Sequence, residues 1–549
     1  MRLAVVAHTI GLILRLFGIL LVAPLVVDLY YGAFYANEKG NYEQAVSFAI
    51  AGVCAAIVGE LARRLHRGER ELSRVEALAV VAFSWLVVSF FSAIPYLLKG
   101  TKQAPFVVRS DMSFVDGAFE SMSGLTATGA TIFRDFSLYS EGLFFWRSMT
   151  QWIGGMGVIA LFIAILPALA IAGRQLFFAE ASGLDEERLT PRIRGTALRL
   201  WGLYVVLTGV EITMLWWFEM PLFDAFCHAF TSISAGGFSP NSASIAGYGN
   251  HAAEWVLIGF IFIAGTNYLL LYPLFRGKSL SLAALKFRIP DPRPLIRDEE
   301  FRVYVVVVLA ASLLLGGFLY QFSQEPGQAY LEGAPGDAVL NQANIETIAR
   351  KSIFQVLTIV TGAGFATDDF NLWNDSSKMV LLVLMFLGGC AGSAAGGPKL
   401  IRLWLVAKFT YVELFKVLHP HGVRPVCLGK RVVSTDVMQS IMAFFLMYLV
   451  IFSFSAVVLV GFGVYDDAKI DMMTGVTASI ATLGNIGPGL GKVGPMGTYA
   501  EFNSFSKWVL FVNMWVGRLE VMAVLIFLQP GVWRGAHWRR FAYQTEEVA

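Results

Sequence analysis

Ten apolar runs, each long enough to cross a bilayer, dominate the chain: 4–30, 43–62, 76–98, 144–172, 198–218, 253–274, 302–321, 378–401, 437–463 and 506–529. About 20 apolar residues span a hydrocarbon core about 30 Å thick as a helix. Only a helix or a closed barrel pairs every backbone N–H and C=O away from water. The runs therefore predict an all-α polytopic membrane protein. Composition agrees, since 15% of the 549 residues are charged, against about 25% in soluble domains. The first run carries no small-residue cleavage site and reads as a span rather than a signal peptide. Cys54, Cys227, Cys390 and Cys427 are scattered without a CxxC spacing, which indicates neither a disulfide framework nor a zinc site.

Charge between the runs alternates. The segments 63–74, 174–199, 276–302, 399–433 and 534–540 are basic, whereas 325–338 and 465–471 are acidic or mixed. Cytoplasmic loops carry the excess of Lys and Arg, so the basic set is expected inside, with both termini cytoplasmic.

On the other side, four outer loops each hold a second, shorter helical segment: 113–133, 221–240, 344–370 and 469–490. Each is too short to cross, and each stops at a glycine: Gly129, Gly237, Gly364 and Gly487. A unit of span, short re-entrant helix, glycine turn and span thus recurs at roughly 120-residue intervals, and such a period decides architecture. The expected organisation is two extra N-terminal helices (1–74) followed by repeats at 75–194, 195–300, 301–433 and 434–549. Non-helical backbone at membrane depth persists only where protein buries it or water lines it. Four such turns around one axis would offer carbonyl oxygens in place of a cation's hydration shell. The short helices would add their negative C-terminal dipole ends. The alternative, interfacial loops with ordinary glycine caps, explains one loop more readily than four at matching positions.

Two anomalies remain. Gly388–Pro398 holds five glycines and a proline inside the eighth run. Interior glycines cost about 1 kcal/mol each relative to alanine, and proline about 3, so a straight helix is not expected. Close helix packing through small residues is the alternative. A dinucleotide-binding reading fails because no strand precedes the glycines and no acidic residue follows at the right distance. In the last run, Arg518 lies roughly 16 Å along the helix from Lys507, near the bilayer centre. A guanidinium there costs at least about 2.5–3.5 kcal/mol and calls for a partner or a wet cavity.

The four glycine loops, the arginine of the last run and the leading pair of spans resemble the Trk/Ktr/HKT superfamily of potassium transporters, most of all the bacterial Trk-type pore subunit. The resemblance covers nearly the whole chain, through SMSGLTATGA (121–130), TSISAGGFSP (231–240), GAGFATDDF (362–370) and MWVGRLE (514–520). It implies one pore per chain, with a potassium filter of Ala127-Thr128-Gly129, Ala235-Gly236-Gly237, Gly362-Ala363-Gly364 and Asn485-Ile486-Gly487. The fourth segment departs by the proline that follows its glycine. The resemblance also implies that the eighth span is broken by a flexible loop under the filter, with Gly388, Gly389, Gly392, Ser393, Gly396 and Gly397 as its gate residues. Arg518 is then expected to face the pore below the filter, bridging carbonyls of that loop and opposing cation passage by its charge. Further implications are a homodimer in the bacterial inner membrane and a cytosolic nucleotide-binding ring docked on the basic loops. Potassium is the transported ion, and no nucleic-acid partner is expected.

No catalytic constellation is visible, and the expected protein is a channel or symporter rather than an enzyme. His419-Pro420-His421 reads as a solvated turn, while Cys227 and His228 read as packing residues of the second short helix. The alternative function is a secondary transporter for another cation or an organic solute. Those folds show twofold repeats, and four are present here.

Overall fold

The computed structural model describes residues 1–34, 42–65, 72–99, 108–109, 112–165, 193–274, 279–282, 285–288, 293–324, 345–429 and 431–534. Half of basic segment 63–74, most of 174–199 and 534–540, and the loop 325–338 lie outside this set. The described residues are mostly helical, with four two-stranded hairpins among them, such as Val464–Tyr465 with Ala468–Lys469.

Among the described residues, six helices are long and apolar enough to span: Leu3–Phe34, Gln44–Arg63, Val75–Leu97, Leu198–Trp217, Glu299–Ser323 and Thr435–Phe462. Of the other four expected runs, three are interrupted. Run 144–172 falls on Glu141–Ile165, its remainder lying outside the described residues. Run 253–274 divides into His251–Ala264 and Tyr268–Leu274. Run 378–401 is helical only to Leu384 and resumes at Leu400. Run 506–529 ends its first helix at Arg518 and resumes at Val521, with Glu520 at φ +62°. Hydropathy averages across such breaks, which tertiary contacts then satisfy.

The chain forms two compact units. One comprises Met1–Met122, Tyr139–Trp146 and Leu519–Ala549. Its first helix, Leu3–Leu20, packs along Tyr42–Arg63, and glycine explains how closely. A Cβ on Gly11 would come 2.6 Å from the Gly59 carbonyl oxygen, and one on Gly59 2.7 Å from that of Gly11. Gly18 and Gly52 repeat the exchange seven residues along. Small residues let backbones approach where lipid supplies no hydrophobic drive between helices. Ser73 and Glu76 form a capping box at the start of Arg74–Ser92, and Arg2 pairs with Glu76 at 2.6 Å. Buried Asp28 accepts from the Gly142 N–H at 3.0 Å, capping Glu141–Ile165, where a carboxylate also complements the helix dipole.

The other unit comprises Ser123–Leu138 and Arg147–Arg518. In it, Ile193–Trp217 packs against the short helix Leu222–Ile233, Glu299–Ser323 against Ile345–Thr361, and Thr435–Phe462 against Met472–Leu483. The remaining short helix, Phe114–Leu125, lies in the first unit up to Met122 and ends in the second. Each ends in a left-handed residue, the αL cap that satisfies the last helical carbonyls.

Candidate functional site

The four turns share one backbone. Ala127, Ala235, Gly362 and Asn485 have φ of +48°, +54°, +74° and +53°, and Gly129, Gly237, Gly364 and Gly487 have +86°, +79°, +67° and +97°. The first member of each set donates its N–H three residues back, to Gly124, Ser232, Ile359 and Thr482, at 3.0, 2.9, 3.1 and 3.2 Å. The match extends to Asn485-Ile486-Gly487, so the proline that follows does not shift the register of the fourth turn.

Their contacts are cyclic. A Cβ on Gly129 would collide with the Gly236 carbonyl oxygen, one on Gly237 with that of Ala363, one on Gly364 with that of Ile486, and one on Gly487 with that of Thr128. Each glycine is thus seated against the carbonyl that precedes the next glycine, and the fourth turn closes on the first. Thr128, Gly236, Ala363 and Ile486 therefore contribute the carbonyls of a single ring. The four glycines also share one wall of a cavity of about 60 Å³. Among the described residues no group of three or more His, Cys, Asp or Glu could hold a metal ion. The oxygens gathered here are backbone carbonyls, hard donors suited to an alkali cation.

Side chains brace the ring from behind. Gln151 spans the second turn, donating Nε2–H to Gly236 O at 2.7 Å and accepting from the Phe238 N–H at 3.1 Å. Asn485 donates to Thr128 Oγ1 and to Met514 O, both at 3.0 Å. Tyr499 donates its hydroxyl to Gly487 O at 2.7 Å. Arg147 lies buried between the rings of Phe133 and Phe238, 4.3 and 4.0 Å from their centroids, and donates to Thr131 Oγ1 and Ser239 O. His228 packs, as expected, with Nε2 3.1 Å from Ser239 Oγ. Sequence reasoning missed Gln151, Arg147 and Tyr499. A glutamine and an arginine within the apolar stretch FFWRSMTQWIGG were the available signal.

The glycine-rich stretch is a loop directly against the fourth turn. A Cβ on Gly396 would stand 2.7 Å from Asn485 Cβ and 2.8 Å from Gly484 O, and one on Gly362 would lie 3.6 Å from Gly396 N. Gly392 and Gly397 sit at φ +71° and +68°. Four carbonyls of this loop, expected to await a guanidinium, accept from other donors. Leu400 N–H donates to Gly389 O, Ser393 Oγ–H to Cys390 O, Tyr268 N–H to Gly392 O and Lys399 Nζ to Ala395 O. Glu300 accepts the Ala391 N–H at 2.7 Å.

The expected bridge from Arg518 is not made in this structure. Its side chain is buried, and Nε, Nη1 and Nη2 have no hydrogen-bond partner among the described residues. Gly517 presses on Leu483 O, at the end of the fourth short helix, which puts Arg518 beside the base of that turn. Its electrostatic neighbour is Tyr204, on the helix Ile193–Trp217. An unpaired buried charge is costly unless water reaches it.

Comparison with known proteins places the chain in a family. The family described as TrkH, cation transport protein, matches residues 44–533. The Trk system potassium uptake protein TrkH of Salmonella typhimurium is 34% identical over 536 residues, spanning 97% of this chain and 100% of its own. TrkG of Escherichia coli is 29% identical over 531 residues, 96% of this chain and 98% of its own. The crystal structure of the potassium transporter TrkH from Vibrio parahaemolyticus superposes with a TM-score of 0.80 at 29% identity, covering 97% of this chain and all of that one. The chain belongs to the TrkH family of cation transport proteins.

Proposed function

We propose that this protein carries potassium across the bacterial inner membrane through a filter formed by Ala127-Thr128-Gly129, Ala235-Gly236-Gly237, Gly362-Ala363-Gly364 and Asn485-Ile486-Gly487. The cyclic seating of each glycine on the next turn's carbonyl carries this reading. A ring of backbone oxygens can replace the hydration shell of potassium, and relatives along the whole chain are named potassium uptake proteins. Gly388, Gly389, Gly392, Ser393, Gly396 and Gly397 lie in the gate, with Arg518 as a charged barrier below the filter. Support comes from the loop's seat against Gly484 and Asn485 and from the unpaired guanidinium beside it. The protein works as a homodimer, and basic segments 276–302 and 399–433 dock a cytosolic nucleotide-binding ring. Purified protein in liposomes tests the central claim. Rubidium and potassium should enter faster than sodium, and equal sodium and potassium flux would overturn the reading.

A further inference from the structure

A cavity of about 500 Å³ flanks the glycine-rich loop, lined by Val303, Val306, Val307, Leu387, Leu400 and Leu403, with Glu299, Arg302 and Trp404 at its polar end. One wall is the first two turns of Glu299–Ser323. The other flanks the break in the eighth run, since Leu387 immediately precedes Gly388 and Leu400 opens the helix that resumes after Lys399.

The polar end carries a guanidinium, Arg302, as its one cationic lining residue among the described residues. The Glu299 carboxylate is already neutralised, accepting from Lys408 Nζ, from Trp404 Nε1 at 2.7 Å and from the Gly429 N–H at 2.6 Å. Arg302 donates Nε–H to Asp298 O at 3.3 Å, and its Nη1 and Nη2 make no hydrogen bond among the described residues. One uncommitted guanidinium therefore stands at the mouth of an apolar groove, beside a tryptophan of the kind that marks a membrane interface.

We infer that this groove binds one anionic phospholipid, its phosphate on Arg302 and an acyl chain between the valine and leucine walls. Basic pockets between transmembrane helices at the cytoplasmic face select anionic headgroups. The observations favour a lipid over an acidic peptide, because the walls are aliphatic and Val306 is 63% exposed within a spanning helix. A chain seated there touches both ends of the 388–398 loop. It resists any movement that separates Leu387 and Leu400 from Val303 and Val307. Only this regulatory consequence rests on the gate reading above; the binding site does not.

Native mass spectrometry of the full-length protein, titrated with phosphatidylglycerol or phosphatidylcholine, tests the site. One phosphatidylglycerol should be retained with about tenfold preference, and Arg302→Gln should abolish that preference. Val306→Trp should fill the groove and remove the bound lipid while the melting temperature is kept. Equal retention of the two lipids, an unchanged preference in Arg302→Gln, or displacement by an acidic peptide alone would overturn the assignment. Potassium flux is read separately in vesicles with and without phosphatidylglycerol. A protein that binds the lipid yet passes no potassium in either would refute the transport reading and leave the lipid site standing.

Discussion

Gly129 and Asn485 occupy neighbouring turns of the ring and illustrate two demands on a residue there. Gly129 must lack a side chain, because at φ +86° a Cβ would meet the Gly236 carbonyl oxygen. Gly129→Ser should therefore displace that carbonyl and erode the preference for potassium over sodium, read as a fall in the rubidium-to-sodium flux ratio; an unchanged ratio would count against the filter. Asn485 must keep its amide, which ties the fourth turn to Thr128, 357 residues away. Asn485→Ala removes two hydrogen bonds worth about 0.5–1.5 kcal/mol each and leaves alanine in a left-handed conformation costing roughly 1–2 kcal/mol. A loss of about 3 kcal/mol and a lower melting temperature follow. Asn485→Gly relieves the strain but not the missing bonds, so it should recover part of the stability and none of the selectivity. Wild-type selectivity in Asn485→Gly would show that the cross-link does not shape the ring. The four glycines were legible in the sequence because a turn without a side chain leaves its mark locally. The cross-link was not, because only the folded ring brings Thr128 to Asn485.

At the scale of elements, the eighth and tenth runs break for different reasons. Glycine density announced the first break, and Gly265, Ala264, Tyr268 and Glu300 hold the freed backbone with hydrogen bonds from outside the loop. Nothing in the apolar run after Arg518 announced the second, which depends on Glu520 adopting φ +62°. The gate reading predicts that Arg518→Ala raises potassium flux in folded protein. Removing a full charge from a path of low dielectric takes away a barrier to cations, and a tenfold rise would correspond to about 1.4 kcal/mol. Shortening the loop within residues 391–395 should act in the same direction. The outcome separates a gate from a helix pin, since a pin predicts lower melting temperature without gained flux. Folded variants of both kinds with unchanged or reduced flux would remove the gate.

For the whole molecule, alternation of charge along the sequence predicts the side from which each segment is reached. Thr435–Phe462 separates the basic loop around Val423 from the hairpin at Lys469. Its 28 residues rise about 42 Å at 1.5 Å each, more than a hydrocarbon core about 30 Å thick. Two residues at its opposite ends must therefore face opposite sides of the membrane. Lys and Arg accumulate around Val423, placing that end inside under the positive-inside rule. Val423 is 96% exposed and Lys469 is exposed on its hairpin, so a cysteine at either position costs the fold little. In intact cells a membrane-impermeant thiol reagent should modify Lys469→Cys and spare Val423→Cys, and permeabilised cells should show both modified. Peptide mapping reads each site apart from the four native cysteines. Labelling of Val423→Cys in intact cells would invert the orientation. The ring-binding face assigned to 276–302 and 399–433 would then lie outside the cell, where no cytosolic partner could reach it.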